Sequence, residues 1–136
     1  MSKKVTTYTD GGARGNPGPA GIGAVVHDLE TDIVHEHKKY IGETTNNQAE
    51  YKALIMALES AKELSADEVQ CFLDSELVVK QMRKEYKVKD PGLQKLFIQA
   101  YNLTTAFKKV TFSHIPREKN KHADRLVNEA IDEHVS

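Results

Sequence analysis

The sequence predicts an α/β fold in which a five-stranded mixed sheet carries helices on both faces. Three strand-like segments come first, with only short polar links between them. Helical patterns follow, and two further strand-like segments are each reached through a helix. Short links join antiparallel strands, whereas helical connections join parallel strands through right-handed crossovers. The order β-β-β-α-β-α-α-β-α therefore predicts three antiparallel strands followed by parallel ones.

The five predicted strands are short segments rich in β-branched or alternating apolar residues. Small residues in the second indicate that neighbouring elements approach its backbone closely. The fourth, VQCFL, is typical of a central strand buried on both faces. The predicted strands are Lys3–Thr9, Ala20–Asp28, Ile33–Ile41, Val69–Leu73 and Lys108–Ile115.

The helices are predicted from apolar residues at helical spacing and from capping residues at their starts. Thr45 with Gln48 fits a capping box at the first helix, and so does Asn47 with Glu50. Asn120 is expected to cap the last helix, and an Asp-Pro-Gly stop signal ends the loop before the third. The predicted helices run from the Thr44–Gln48 segment to about Leu64, and over Glu76–Lys84, Leu93–Phe107 and Asn120–His134.

Length and composition place the chain among ordinary globular proteins. It has 136 residues, 39% of them apolar and 29% charged, and a net charge of −1 that gives no general attraction for polyanions. The single cysteine, Cys71, excludes an internal disulfide and fits a reducing compartment. No apolar run approaches the ~20 residues of a membrane span, and the first residues lack a signal peptide. We expect one domain over residues 1–136, in the cytoplasm.

Four carboxylates lie where charge is costly. Asp10 and Asp74 each follow an apolar strand, and both strands are expected to end at the same sheet edge. Glu50 and Asp124 lie near helix starts, along the apolar stripe of each helix. Each has a structural alternative: a turn residue for Asp10, a helix cap for Asp74, a capping box for Glu50, and a favourable helix dipole for Asp124.

The four carboxylates together are better explained by a divalent cation. Unpaired buried charges are expensive, and clustered carboxylates repel one another. Mg²⁺ prefers oxygen ligands, so three or four carboxylates around two ions make a suitable shell. Two such ions, ~4 Å apart, activate water and stabilise the leaving oxygen in phosphodiester hydrolysis.

Four segments resemble ribonuclease H of type 1, in the family's order and across nearly the whole chain. They are YTDGGARGNPGPAGIGAVV, TTNNQAEYKALIMALE, CFLDSELVVKQM and HIPREKNKHADRLVNEA. The resemblance is to a compact, stand-alone bacterial or archaeal-like member, and it implies the ribonuclease H fold. It also implies an endonuclease that cuts the RNA strand of RNA/DNA hybrids with two Mg²⁺ ions, or Mn²⁺ in their place. The products would carry 5′-phosphate and 3′-hydroxyl ends.

The resemblance also assigns roles to residues. Asp10 would bridge the two ions, Glu50 and Asp74 would hold the ion that activates water, and Asp124 would help to hold the ion near the leaving group. Contacts with the minor groove of the hybrid would recognise the RNA 2′-hydroxyl and the duplex shape rather than a base sequence. The residues implied for these contacts are Gly11, Gly12, Asn16, Asn46, Asn47 and Gln48.

Two features depart from the family pattern. Many members have a catalytic-loop histidine that assists product release, and here His114 and Arg117 compete for that role. We favour Arg117, which lies in the turn itself and stays charged. A basic segment after the second helix is either a solvated helix face or a contact for the DNA backbone. Its members are Lys80, Arg83, Lys84, Tyr86, Lys87 and Lys89.

Two other classes of function remain as alternatives. A non-catalytic nucleic-acid-binding module would not need all four carboxylates, and other nucleases of the ribonuclease H-like superfamily would not need 2′-hydroxyl contacts. The sequence leaves open whether RNA/RNA duplexes are cut, and a monomer is expected. His35 and His37 share one strand face, but without a third ligand an exposed strand explains them better than zinc.

Overall fold

A computed structural model describes residues 2–135, which form one sheet of five strands with four α-helices. The strands are β1 (Lys4–Ala13), β2 (Gly18–Asp28), β3 (Ile33–Thr44), β4 (Glu68–Leu73) and β5 (Lys109–His114). The helices are α1 (Asn46–Glu63), α2 (Glu76–Met82), α3 (Pro91–Thr104) and α4 (Lys121–Val135), and a 3₁₀ turn over Arg117–Lys119 precedes α4. None of the helices described is long and apolar enough to cross a bilayer.

The sheet has the predicted mixed topology, with strand order β3-β2-β1-β4-β5. β1 pairs antiparallel with β2, and β2 pairs antiparallel with β3. On its other side β1 pairs in parallel with β4, which pairs in parallel with β5. β1 and β4 are therefore parallel neighbours that run toward the same edge of the sheet, as predicted.

Helices cover both faces of the sheet. Successive residues of β2 point to opposite faces, so this strand packs against one helix on each side. Ile22 and Ala20 pack with the first half of α1 on one face. On the other face, a Cβ atom placed on Gly23 would lie 2.6 Å from the carbonyl oxygen of Ala123 in α4. The small residues of β2 thus allow the backbone of α4 to lie directly on the sheet, which confirms the predicted close approach.

The prediction that β1 ends at Thr9 is wrong. Its pairing with β2 continues to Ala13 opposite Ala20, so Asp10 lies inside the strand and the turn begins at Arg14. A glycine-rich segment has no side-chain pattern that would mark this continuation, which depends on ladder hydrogen bonds to β2.

The start of α3 differs from the prediction, and the start of α1 decides between the two predicted caps. The Asp-Pro-Gly segment forms the start of α3 and is not a stop signal before it. Asp90 Oδ1 accepts a hydrogen bond from Gly92 N at 2.7 Å, and Pro91 takes the first helical position. At α1, Thr45 is the cap and its Oγ1 accepts from Gln48 N at 3.2 Å. The alternative capping box of Asn47 with Glu50 is therefore wrong.

Candidate metal centre and active site

Three carboxylates converge at the carboxyl edge of β1 and β4. One oxygen from each of Asp10, Glu50 and Asp74 lies within 4.8 Å of the others. Asp10 is 8% exposed and Glu50 is 7% exposed, whereas Asp74 is half-buried. The predicted convergence of these three residues is what the fold produces.

Asp74 and Glu50 do not cap helices, which was the structural alternative for each of them. Ser75, not Asp74, caps α2 by accepting a hydrogen bond from Val78 N at 3.3 Å. Glu50 turns away from the start of α1 and its Oε1 accepts from Gly11 N at 2.9 Å. Both carboxylates therefore face the sheet edge.

Glycine at position 11 makes the contact between β1 and α1 possible. A Cβ atom there would lie 2.3 Å from the carbonyl carbon and oxygen of Ala49, which are backbone atoms that cannot move aside. The absence of a side chain lets β1 pass against α1 and brings Gly11 N to Glu50.

Asp10 and Glu50 have raised pKa values because they are buried beside other carboxylates. Burial raises the pKa of Asp10 to about 7, with further increases from the charges of Asp74 and Asp124. Burial, then the neighbouring Asp10, raises the pKa of Glu50 well above its ordinary value, although Gly11 N–H opposes the shift.

Among the described residues, one oxygen of the cluster has no hydrogen-bond donor. Glu50 Oε2 is buried and, among residues 2–135, accepts no hydrogen bond. A buried acceptor left unpaired beside two other carboxylates is costly for the protein alone. Oxygen donors in this arrangement are those that Mg²⁺ and Mn²⁺ bind, so the residues fit a divalent cation.

The fourth predicted carboxylate, Asp124, is not in this group of three. The two residues predicted to assist product release, Arg117 and His114, lie in different surroundings. Asp124 lies in the first turn of α4, close enough to Asp10 to raise its pKa. Arg117 is 83% exposed in the 3₁₀ turn, and its Nη2 lies 4.0 Å from Asp124 Oδ1. His114 is exposed at the end of β5 and its charge, after the larger effect of Lys80, lowers the pKa of Glu76.

The carboxylates line a cleft of about 530 Å³. Of the predicted residues, Gly11, Gly12, Asn46, Asn47 and Arg117 also line it, whereas Asn16, Gln48 and His114 do not. Arg14, Ser75 and Asn128 line it as well and were not predicted.

Asn120 is the polar residue at this edge that sequence reasoning misassigned. It is 1% exposed, and its Nδ2 donates to Thr9 O at 2.8 Å and to Asp74 Oδ2 at 3.2 Å. The predicted cap is therefore wrong in its contacts, because the side chain is directed to the sheet. The only signal was an asparagine before an amphipathic helix, which cannot be distinguished from an ordinary N-cap.

Other predicted groups lie away from this cleft. Within the described part of the chain, His35 and His37 belong to no group of three metal-ligating residues, and His37 Nε2 hydrogen-bonds Ser60 Oγ at 2.9 Å. In the basic segment, Lys80 Nζ lies 4.9 Å from the ring centre of Tyr86. Burial raises the pKa of Cys71 to about 12, as expected for a thiol that fills the core.

Comparisons with known sequences place this geometry in a family. A family model described as reverse transcriptase-like matches residues 8–130. The bifunctional protein Rv2228c of Mycobacterium tuberculosis is 48% identical over 130 residues, which are 95% of this chain but 36% of that protein, so the chain spans about a third of its length. Ribonuclease HI of Halobacterium salinarum is 44% identical over 96% of this chain and 65% of its own. Ribonuclease H of Chlorobium phaeobacteroides is 34% identical over 96% of this chain and 97% of its own length.

Solved structures agree with the sequence comparisons. Ribonuclease H1 from Halobacterium salinarum superposes with a TM-score of 0.91 at 44% identity, covering 96% of this chain and 98% of that one. LC11-RNase H1, solved in complex with an RNA/DNA hybrid, superposes with a TM-score of 0.90 at 51% identity, covering 97% and 99%. With these matches in sequence, topology and acidic cluster, the chain belongs to the ribonuclease H family, in the group described as reverse transcriptase-like.

Proposed function

We propose that the chain is a metal-dependent endonuclease that hydrolyses the RNA strand of RNA/DNA hybrids, leaving 5′-phosphate and 3′-hydroxyl ends. The observation that carries the proposal is the convergence of Asp10, Glu50 and Asp74 around an unpaired carboxylate oxygen. Relatives named ribonuclease H, and a similar protein solved with a hybrid, support the choice of substrate.

The four carboxylates would hold two Mg²⁺ ions, for which Mn²⁺ can substitute. Asp10 would be a ligand because it lies beside Glu50 and Asp74 and close enough to Asp124 for that charge to raise its pKa. When bound, two ions would activate a water molecule and stabilise the leaving oxygen. The protein's own part is to hold these oxygens at one edge of the sheet, where β1 pairs with β2 through Ala13 and with β4 as far as Thr9.

Proton release accompanies cation binding in this proposal. Asp10, with its pKa raised to about 7, is partly protonated at neutral pH when no cation is present. A cation needs the ionised form, so apparent metal affinity rises as the pH increases from about 6 to 8.

Side-chain amides at and near the cleft are the proposed donors to the minor groove. The oxygens of Asn16, Asn46 and Gln48 accept hydrogen bonds from Asn46 N, Ala13 N and Thr44 Oγ1 respectively. The NH₂ groups of Asn16 and Asn46 are then the parts proposed to meet a substrate. A Cβ atom on Gly92 would lie 2.9 Å from Gln48 Nε2, so the Gln48 amide packs against the start of α3 and its substrate contact stays a prediction. The minor groove presents acceptor atoms on every base pair, so donors of this kind suit contact without sequence preference.

The remaining predicted contacts differ in how accessible they are. Asn47 is exposed at the mouth of the cleft, and a Cβ atom on Gly12 would meet nothing closer than 3.8 Å, so the space there is open. Gly11 is buried and its N–H is engaged by Glu50, so any substrate contact at Gly11 stays a prediction.

Arg117 is the residue that we propose to assist at the leaving-group side. It is exposed, it lines the cleft and it lies beside Asp124, whereas His114 does not line the cleft. A fixed cation there would attract the scissile phosphate and release it without a change of protonation.

Duplexes of different sugar composition test the proposed function. The protein is incubated with labelled RNA/DNA, RNA/RNA and DNA/DNA duplexes in Mg²⁺, in Mn²⁺ and in EDTA, with Asp10→Asn as the inactive control. We expect metal-dependent cleavage of the RNA strand of the hybrid, internal cuts, and 3′-hydroxyl products that a polymerase extends. Cleavage of RNA/RNA would widen the substrate class without changing the chemistry.

The alternatives give distinct results in the same assay. Metal-dependent cleavage of DNA/DNA would indicate another nuclease of the superfamily, and hybrid binding without cleavage would indicate a binding module. We further propose that the sheet and its helices form one catalytic unit. That this unit acts as a monomer in the cytoplasm stays a prediction.

A further inference from the structure

The side chain of Asn120 lies between the ends of the two central strands. It is 1% exposed and donates one hydrogen bond to the Thr9 carbonyl, at 2.8 Å, and one to Asp74 Oδ2, at 3.2 Å. Thr9 directly precedes Asp10, so a single amide group contacts the backbone next to one carboxylate of the cluster and the side chain of another.

The end of the β1–β4 ladder explains why a donor is needed there. The registered pairs between these strands end at Thr9 and Leu73. Beyond this pair, β4 gives way to Asp74 and the cap of α2. Asn120 supplies a donor to the Thr9 carbonyl where the ladder stops, and the same nitrogen is then within reach of the Asp74 carboxylate.

The backbone of Asn120 connects this contact to the fourth carboxylate. Its carbonyl oxygen accepts from Asp124 N at 3.1 Å, which is the first turn of α4. The residue thus touches the strand that carries Asp10, the side chain of Asp74 and the helix turn that carries Asp124.

The chemistry of an amide suits a residue that orients a metal ligand. A lysine or arginine at this place would neutralise the charge that attracts a cation, and an aspartate would add a like charge to the cluster. A neutral donor to Oδ2 restricts rotation of the Asp74 carboxylate and leaves its other oxygen available.

Hydrogen bonding of the amide is only half satisfied. Asn120 Oδ1 is buried and, among the described residues, has no hydrogen-bond partner. Buried amides kept for stability alone normally have both ends paired. The side-chain contacts of Asn120 are therefore made by its donor end, which is the end that reaches Asp74.

We propose that Asn120 is a positioning residue that orients Asp74 for divalent cation binding. The inference rests on the proposed function for the identity of the bound group, a divalent cation, and for nothing else. Loss of an outer hydrogen bond to a metal ligand commonly weakens metal affinity by about 10–100-fold.

Two variants of Asn120 and one control separate positioning from stability. Asn120→Ala removes the amide, and Asn120→Leu removes it while keeping a similar volume. The matched control is Gln81→Met, which removes an equally buried amide that bonds Tyr51 Oη and the carbonyl of Lys87, away from the cleft. Thermal unfolding reports stability, and the electron paramagnetic resonance signal of free Mn²⁺ reports binding without any substrate.

We expect both Asn120 variants to weaken Mn²⁺ binding by about 10–100-fold, with Gln81→Met binding as the unaltered protein does despite a lower Tm. The Mn²⁺ concentration needed for half-maximal hybrid cleavage should rise in parallel, while KM for hybrid at saturating Mn²⁺ stays unchanged.

Unaltered Mn²⁺ affinity in folded Asn120→Leu would overturn the inference, and so would an equal loss of affinity in Gln81→Met. If the unaltered protein binds Mn²⁺ but cleaves no hybrid, the proposed function fails while the binding data still decide the role of Asn120.

Discussion

Two residues of the cleft are under opposite demands from stability and from chemistry. Glu50 is buried with one oxygen unpaired, and its pKa is raised by burial and by Asp10. Because Gly11 has no side chain, β1 can lie against α1, and Gly11 N donates a hydrogen bond to Glu50. Each position has a substitution that separates the structural demand from the functional one.

Glu50→Gln should stabilise the cation-free protein and weaken cation binding. The change removes a buried charge next to Asp10 and keeps an oxygen that can accept from Gly11 N, so we expect a gain of about 1–3 kcal/mol in the free energy of unfolding in EDTA. Urea unfolding and Mn²⁺ titration measure the two effects. Glu59→Gln, at an exposed position of the same helix, is the control and should change neither. A Glu50→Gln protein that is less stable in EDTA would contradict the account of the cluster.

Alanine at positions 11 and 12 should give different defects. Gly11→Ala brings a Cβ atom to 2.3 Å from backbone atoms of Ala49, so we expect a loss of about 1–3 kcal/mol or more. Gly12→Ala meets only ordinary contacts, from 3.8 Å outward, and should fold normally. If Gly12 is a substrate contact, its variant raises KM for the hybrid with an unchanged Tm. Equal Tm values for the two variants, both matching the unaltered protein, would show the packing argument to be wrong.

At the scale of elements, the start of α1 holds several residues of the cleft in place. The Thr45 cap orders the first turn, the Asn46 side chain accepts from Ala13 N at 2.8 Å, and Asn46 N donates to Asn16 Oδ1 at 3.0 Å. These bonds join the helix start to the β1–β2 hairpin, so the amides proposed to contact the minor groove are held on one frame that also carries Glu50.

Thr45→Ala should therefore lower both stability and hybrid affinity. Loss of the cap costs about 1 kcal/mol, and a less ordered first turn should raise KM for the hybrid more than it lowers kcat. Asp28→Ala provides the comparison, because Asp28 accepts from Glu30 N and pairs with Lys3 at the opposite end of the sheet. That variant should lose stability with no change in KM. A rise in KM for both variants would mean that global stability, not the helix start, governs binding.

At the scale of the whole molecule, the cleft connects parts of the chain that are far apart in sequence. β1, α1, the link after β4 and α4 each contribute one carboxylate to the cleft. A bound cation would therefore stabilise the entire fold, whereas the cation-free cluster opposes it through burial and repulsion of charge. Stability should therefore depend on pH in the cation-free state and much less in the cation-bound state.

In EDTA the free energy of unfolding should fall as the pH rises from about 4 to 7. Asp10 has an ordinary pKa of 3.8 when unfolded and about 7 when folded, so in this range the folded state holds the extra proton and each rise in pH favours unfolding. Saturating Mn²⁺ should abolish this fall between about pH 5 and 7, because Asp10 is then ionised in both the cation-bound folded state and the unfolded state. A hundredfold excess of Mn²⁺ over Kd should add about 2.7 kcal/mol. Thermal unfolding at pH 4 to 8, in EDTA and in Mn²⁺, measures both effects. In the Asp10→Asn variant, the free energy of unfolding in EDTA should fall less steeply with pH. A fall as steep as that of the unaltered protein would contradict the raised pKa of Asp10.

Local pattern was enough to predict the topology and the residues of the acidic cluster. Strand and helix types follow from period and composition, and the parallel pairing of β1 with β4 follows from the helical crossover. Those rules alone placed Asp10 and Asp74 at one edge. The roles of individual carboxylates and the substrate came from the family resemblance, not from pattern.

Tertiary structure decided what depends on contacts between distant residues. The extension of β1 to Ala13 depends on its ladder with β2, which leaves no mark in a glycine-rich sequence. The close approach at Gly11 depends on where α1 crosses the strand. Asn120 and Thr9 are 111 positions apart, and only the packed fold shows that the asparagine donates to the sheet edge instead of capping its own helix. A cap and a long-range hydrogen bond use the same side chain, so the sequence determined that a polar group was present and the fold determined its partner.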